Sequence, residues 1–200
     1  MNTILHITCS LFGDQGKSSA LSTELVKKLQ SKHPNSEVTH RELSIENTPY
    51  LDVALFQAFI AAKDDRSPEQ QAALQLSDRL IEEWRLSQAV VIGLPMYNLG
   101  VPAVFKSYID HIVRVGETFK YTDTGPVGLL EDRPVYVVTA RGGMYQGTPL
   151  DTQSLYIQHI FGLMGVGNIQ FFHTEGLNMG PEVADKAIAG VKAEIKSAFV

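Results

Sequence analysis

Five short runs rich in Ile and Val, each followed by a stretch whose apolar residues recur at helical spacing, narrow the choice of fold most. The runs are Thr3–Thr8, Glu37–Leu43, Ala89–Leu94, Pro134–Ala140 and Ile169–Thr174. Thr3–Thr8, Ala89–Leu94 and Pro134–Ala140 are nearly continuous in apolar residues, as strands covered on both faces are. The helical stretches are Ser18–Ser31, Pro68–Leu86, Ala103–Val113, Thr152–Met164 and Pro181–Ala198. Leu21, Leu25, Val26 and Leu29 give the first of these one apolar face. The last opens on Pro181, a residue suited to a first helical turn. The alternation predicts an α/β fold, a five-stranded parallel sheet in a three-layer sandwich with helices on both faces. Right-handed crossovers favour the strand order 2-1-3-4-5. Ligands then bind at the carboxyl ends of the strands, at the switch point between strands 1 and 3.

Two segments exceed five plain βα units. Ser44–Ser67 carries an apolar stretch, Leu51 to Ala62, that reads as a short helix. Arg114–Arg133 carries aromatics, glycine and proline, and reads as a hairpin or lid. No repeat, low-complexity tract or linker interrupts the chain, so residues 1–200 read as one domain. With 200 residues, 44% of them hydrophobic, a full core can form without covalent staples. The net charge of −5 argues against nonspecific nucleic-acid binding, which needs a basic field, but leaves a small anionic ligand open. A single cysteine, Cys9, excludes an intramolecular disulfide and any multi-cysteine metal site, and suits a reducing compartment. No run approaches the ~18 apolar residues of a membrane span. Residues 1–8 lack a signal peptide's basic start and cleavage site, and read instead as a first strand. The expected setting is cytoplasmic, with neither membrane nor nucleic acid as a partner.

Three strand-end loops carry the candidate chemistry. The first is Cys9-Ser10-Leu11-Phe12-Gly13-Asp14-Gln15-Gly16-Lys17-Ser18-Ser19. Free N–H groups at a helix start, with hydroxyls from Ser10, Ser18 and Ser19, suit a phosphate. Gly13 and Gly16 permit a tight turn and a close approach. This is not a Walker A loop, because Leu11 stands five residues before Gly16, and GxGxxG is absent. The plain alternative is a polar connection with an ordinary helix cap. The second loop follows Gly93-Leu94-Pro95-Met96-Tyr97-Asn98. Proline stops the strand, and an apolar and an aromatic side chain flank an amide. Taken alone, Met96 and Tyr97 read equally as local packing. The third is Thr139-Ala140-Arg141-Gly142-Gly143, where two glycines either let N–H groups reach a ligand or form a simple turn. These loops leave strands 1, 3 and 4, neighbours around the switch point. Together they describe a mononucleotide site.

Acid–base machinery is sparse. His6, His33, His40, His111, His159 and His173 show no HxH or HExxH spacing and read as packed or surface residues rather than metal ligands. There is no GxSxG elbow. Cys9, at a strand end, reads as a small buried residue rather than a nucleophile. Asp64-Asp65 and Glu82-Glu83 read as solvated charges. A cofactor site with little acid–base machinery favours chemistry carried by the cofactor.

The loop from Ser10 to Ser18, "PMYN" at 95–98, "TFKYT" and "GPVGL" within 118–129, "ARGG" at 140–143, and Gly176 to Pro181 before the last helix together carry a resemblance over nearly the whole chain. The sequence resembles the FMN-dependent NADH:quinone oxidoreductases, also called FMN-dependent NADH-azoreductases, of the flavodoxin-like fold. The resemblance implies FMN held by Ser10 and, at the phosphate, by Gly16, Lys17 and Ser18. It implies Met96, Tyr97, Asn98 and Leu99 along the isoalloxazine, and Ala140, Arg141, Gly142 and Gly143 at its pyrimidine edge. Gly16, Leu99 and Ala140 depart from the family's frequent serine, phenylalanine and serine. The resemblance further implies NADH as donor, two-electron reduction of quinones and azo compounds, and a homodimer with two FMN sites near its interface.

The chemistry agrees with that resemblance. Negative charge developing at the N1–O2 edge of the ring would meet fixed N–H donors from Gly142 and Gly143. Flat donor and acceptor would use one site in turn, which predicts ping-pong kinetics. Phe119, Tyr121, Tyr145, Phe161 and Leu163 are candidates for its apolar wall, with core or dimer packing as the alternative. No arginine cluster is assigned to a 2′-phosphate, so NADPH remains open beside NADH. Two rivals stand: an FMN electron-carrier module without hydride chemistry, which the 114–133 insertion disfavours, and a hydrolase using Ser10 or Cys9.

Overall fold

The apolar runs pair into a parallel sheet in the computed structural model, which describes residues 1–46 and 48–199. Strand β1 (Thr3–Thr8) lies between β2 (Glu37–Glu42) and β3 (Ala89–Pro95), and β6 (Val135–Ala140) and β7 (Ile169–Thr174) extend the sheet beyond β3. The order β2-β1-β3-β6-β7 is the expected 2-1-3-4-5 once the insertion strands are set aside. The register brings three strand ends level: Pro95 pairs with Ala140, and Ala140 with Thr174. Their loops therefore leave the sheet side by side.

Strand alternation sends side chains to two helical layers. Ile4, Val91, Val138 and Phe172 pack against Leu21, Leu25, Val26 and Leu29 of α1 (Lys17–Lys32) and Val191 and Ile195 of α6 (Pro181–Ala198). Leu5, Ile7, Val90, Ile92 and Val137 face the other layer, built from α3 (Pro68–Leu86), α4 (Ala103–Ile112) and α5 (Thr152–Met164). There Trp84 donates to the Tyr108 hydroxyl at 2.7 Å and packs on Phe161. A capping box between Ser67 and Gln70 fixes the start of α3.

Gly93 sets how closely α1 approaches the sheet. A Cβ there would lie 2.7 Å from Ser22 Oγ and 2.9 Å from the Ser18 carbonyl oxygen. The missing side chain lets the start of α1 sit directly over β3.

Both long insertions contain regular structure among their described residues. Residues 53–60 form α2 (Val53–Ile60), capped by Asp52, which accepts from Leu55 N at 2.8 Å. His111 Nε2 bonds the Pro49 carbonyl at 3.0 Å, and the Arg114 guanidinium lies 4.9 Å from the Phe59 ring centroid. Residues 114–133 contain an antiparallel hairpin, β4 (Phe119–Thr122) and β5 (Gly125–Gly128). It docks on the end of α5 through two glycines: a Cβ on Gly128 would lie 2.1 Å from Gly165 N. No helix among the described residues is long and apolar enough to cross a membrane.

Candidate functional site

A cleft of about 330 Å³ opens where β1, β3, β6 and β7 end. It is lined by Ser10, Gly16, Lys17 and Ser18 from the first loop, Met96 and Tyr97 from the second, and Ala140, Arg141 and Gly142 from the third. Its volume lies within the range of small-molecule sites.

The first loop shapes an anion site. It turns at Ser10, whose Oγ accepts the Phe12 N–H at 3.2 Å, and passes through a short 3-10 turn, Gly13–Gln15. Helix α1 then begins with no side-chain cap, so its first N–H groups lack intrahelical acceptors. The Ser18 hydroxyl is fully buried and unpartnered. A buried polar group without a partner is costly, and here it sits at the positive end of a helix dipole beside the exposed Lys17. A phosphate ester fits this set of donors. Gly16 cannot take a side chain as the loop stands, because its Cβ would lie 2.1 Å from Ser10 Oγ. The loop thus has its own steric reason for glycine at this position.

The second loop is a tight two-residue hairpin. Tyr97 and Gly100 exchange N–H to carbonyl bonds of 3.1 and 3.0 Å. Asn98 and Leu99 between them both have positive φ, 51° and 62°. Left-handed geometry is routine for Asn but strained for Leu. The Tyr97 hydroxyl accepts the Leu11 N–H at 3.2 Å, tying the second loop to the first. Asn98 lines an adjoining apolar groove with Leu11, Met96 and Tyr97.

The third loop is held from behind. The carbonyls of Arg141, Gly142 and Gly143 accept the N–H groups of Leu177, Asn178 and Gly176 at 3.0–3.1 Å. Among the described residues no acceptor pairs with the N–H groups of Gly142 and Gly143. Arg141 borders the cleft, but its side chain is fully buried in an ion-pair network with Asp151 and Glu175. Burial works against the charge on Asp151, yet hydrogen bonds from Arg141 and Ser154 outweigh it and hold the carboxyl below its usual range.

The candidate wall residues disperse. Phe161 is fully buried in the core against Trp84, so its expected place in the wall is corrected: its face of α5 points into the sheet. Phe119 is buried with its ring edge-on to Tyr121, and Tyr121 is 70% exposed. Leu163 is half-buried near the end of α5. Tyr145 lies over Gly143, where a Cβ would come within 2.8 Å of its ring. None of these lines the cleft within one chain.

Phe12, Pro95, Leu177, Asn178 and Ala184 do line it and were not expected. Leu177 and Asn178 follow the fifth strand, and attention to the switch point between strands 1 and 3 passes over that loop. The Gly176 to Pro181 motif was the available signal.

No histidine, carboxylate or cysteine side chain borders the cleft among the described residues. Cys9 is buried, donates to the Gly93 carbonyl at 3.3 Å, and burial pushes its thiol far above the usual range. It lacks the thiolate character a nucleophile needs. Among the described residues the cleft lining offers polar groups suited to hold and orient a ligand, with no histidine, carboxylate or thiolate to act on it.

Comparison with known proteins places this architecture. Residues 2–199 match a family model described as the flavodoxin-like fold. A protein of Cellvibrio japonicus named FMN-dependent NADH:quinone oxidoreductase is 47% identical, the match covering 98% of each chain. A protein of the same name from Alcanivorax borkumensis is also 47% identical, over 96% of this chain and 97% of its own. The crystal structure of an azoreductase from Bacillus anthracis superposes with a TM-score of 0.90 at 30% identity, covering 100% of this chain and 99% of its own. With its sheet order, its strand-end cleft and these full-length relatives, the chain belongs to the enzyme family of the FMN-dependent NADH:quinone oxidoreductases, of flavodoxin-like fold.

Proposed function

We propose that this protein binds FMN in the cleft, takes electrons from NADH, or NADPH, and uses them to reduce quinones to hydroquinones and to cleave azo compounds. The observation that carries the reading is the buried, unpartnered Ser18 hydroxyl at the uncapped start of α1, in a residue that lines a cleft bordered, among the described residues, by no histidine, carboxylate or cysteine. Ser10, Gly16, Lys17 and Ser18 would hold the phosphate. Met96, Tyr97, Asn98 and Leu99 would lie along the isoalloxazine, and Ala140 to Gly143 along its pyrimidine edge. FMN, when bound, supplies the hydride chemistry. The protein's part is to orient the ring and to aim the Gly142 and Gly143 N–H groups at its N1–O2 edge. Fixed donors of that kind stabilise developing charge without reorganising. Donor and acceptor would occupy the one cleft in turn. Initial rates at several fixed quinone concentrations should then give parallel double-reciprocal lines, and intersecting lines would replace the shared site with a ternary complex.

A homodimer belongs to this reading. On α2, Val53, Phe56 and Ile60 are 73%, 52% and 67% exposed; Tyr50, just before the helix, and Tyr121 on the hairpin are exposed as well. Exposed apolar side chains gathered on one short helix are a common mark of an interface. Sedimentation equilibrium showing monomer alone at micromolar concentration would end the dimer reading.

The deciding experiment is a titration of flavin-free protein with FMN, followed by anaerobic NADH and then a quinone. Stoichiometric binding, bleaching by NADH and recovery of the yellow colour with quinone are expected. Ser18→Ala should weaken FMN binding by roughly tenfold, about 1.4 kcal/mol. It should leave the flavin-free protein as stable or more so, because a buried polar group without a partner is removed. Absence of FMN binding by the unaltered protein would overturn the reading.

A further inference from the structure

Two of the cleft's loops are fastened at one point, the first turn of α5. Gln153 is fully buried; its Oε1 accepts Arg141 Nε at 3.1 Å, and its Nε2 donates to the Pro95 carbonyl at 2.9 Å. Arg141, also fully buried, donates from Nη2 to Asp151 Oδ1 and to Ser154 Oγ, both at 2.9 Å, and from Nη1 to Glu175 Oε1 at 3.0 Å. Glu175 Oε1 accepts in addition the N–H groups of Tyr145 and Gln146 at 3.0 and 2.9 Å. Thr152 at the helix start donates to the Leu99 carbonyl. One planar cation and one carboxamide thus link the Pro95–Leu99 hairpin, the Arg141–Gln146 loop and the end of β7.

Stability alone is a weak reason for such a network. Buried ion pairs are often replaceable by apolar side chains of similar volume without loss. Fully satisfied buried polar networks do fix one geometry, because a displaced member leaves its partners unpaired in a low dielectric. The geometry fixed here is the separation between two stretches of the cleft lining, Met96–Tyr97 from one loop and Ala140–Gly142 from the other. We propose that the side chains of Arg141 and Gln153 are positioning groups that set this separation, and through it the affinity and reduction potential of the bound flavin, without themselves touching it. The proposal rests on the FMN reading given above.

The test compares Gln153→Met, which removes both bonds, with Gln153→Glu, which keeps an acceptor for Arg141 but turns the donor to Pro95 into an acceptor. Ile157→Val, a buried core change on the same helix, is the comparison for general loosening. Four quantities are measured for each: FMN dissociation constant of the flavin-free protein, midpoint potential of the bound flavin, kcat against KM for NADH, and melting temperature. Both Gln153 variants should bind FMN at least tenfold more weakly, with a shifted potential and kcat reduced more than KM is changed. Ile157→Val should lower the melting temperature and leave affinity and potential where they were. If one Gln153 variant fails to fold, the other decides. Gln153 variants with the affinity and potential of the unaltered protein, at whatever melting temperature, would overturn the proposal while leaving the FMN reading intact. Failure of the unaltered protein to bind FMN would overturn both.

Discussion

A side chain at Gly142 would meet protein before it met a ligand. Its Cβ would lie 2.6 Å from Asn178 Nδ2, and Asn178 itself lines the cleft. From the sequence, a branch at this position is expected either to strike the ring or to force the loop back; the structure puts an amide of the neighbouring loop in its way. Asn178 is exposed and can swing away, so Gly142→Val should cost the fold little, within ~1 kcal/mol. FMN affinity should fall at least tenfold, because both the amide and the loop that presents the N–H donors are displaced. Titration of the flavin-free variant decides this, and an unchanged dissociation constant would remove residues 140–143 from the proposed site. The control must be chosen with care. Gly147 has open space around it but a φ of +74°, so alanine there is strained by its backbone alone. Gly167 has open space without that φ, and Gly167→Ala is the sound comparison. Neither distinction is written in the sequence, where every one of these residues is simply glycine.

At the scale of elements, glycines with the same sequence appearance predict opposite signs. Gly190 lies inside α6, with nothing near where a Cβ would stand. Gly190→Ala should stabilise the protein by roughly 0.5–1 kcal/mol, through helix propensity alone. Gly93→Ala should destabilise it by about 1–3 kcal/mol, since the added methyl forces α1 away from the strand at Ser18 and Ser22. Because Ser18 lines the cleft, weaker FMN binding should accompany that loss. Urea denaturation of the two variants checks both signs. The comparison also shows what the sequence discloses. Periodicity reveals five strands, the main helices and their order, because burial on one or two faces imprints periods of about 3.6 and 2 on the apolar residues. The short helix expected between Leu51 and Ala62 is present as α2, and the hairpin in 114–133 as β4 and β5. Close approach leaves no such imprint. Gly93 under α1, and Gly128 against Gly165, matter for what is missing from them. The same blindness put Phe161 in a pocket wall. Its aromatic character was visible, but not which face of α5 meets the sheet. Arg141 was visible beside two glycines, while the partners that draw its side chain inward, Gln153 and Glu175, stand 12 and 34 residues along the chain.

For the molecule as a whole, buried histidines contribute to the response to acid between neutral pH and about 5. His6 lies under α1, hydrogen-bonded to Ser22 Oγ at 2.9 Å and stacked 4.8 Å from His40. Burial first, and the neighbouring His40 second, bring its pKa down to about 4. His111 is lowered by burial despite its bond to the Pro49 carbonyl, and His173 by burial and then by the nearby Arg141 charge. All three shifts have one sign: the unfolded chain takes up protons at a higher pH than the folded one. The stability they protect is therefore complete above the unfolded value near 6.5 and is lost as pH falls toward the folded values. For His6 alone the loss should be about 2 kcal/mol by pH 5 and about 3 kcal/mol once pH falls below 4. His111 and His173 add to it in the same direction. Because His111 holds the segment before α2 and His173 bonds Thr139 at the root of the third loop, acid should loosen the apolar α2 face and the cleft along with the core. Urea unfolding at pH 7.5, 6 and 5 measures the slope, and His6→Gln should flatten it by about 2 kcal/mol between the end points, whatever it costs at pH 7.5. Parallel profiles for the two proteins would show that His6 ionises as easily folded as unfolded, and the acid sensitivity would then have to come from other groups.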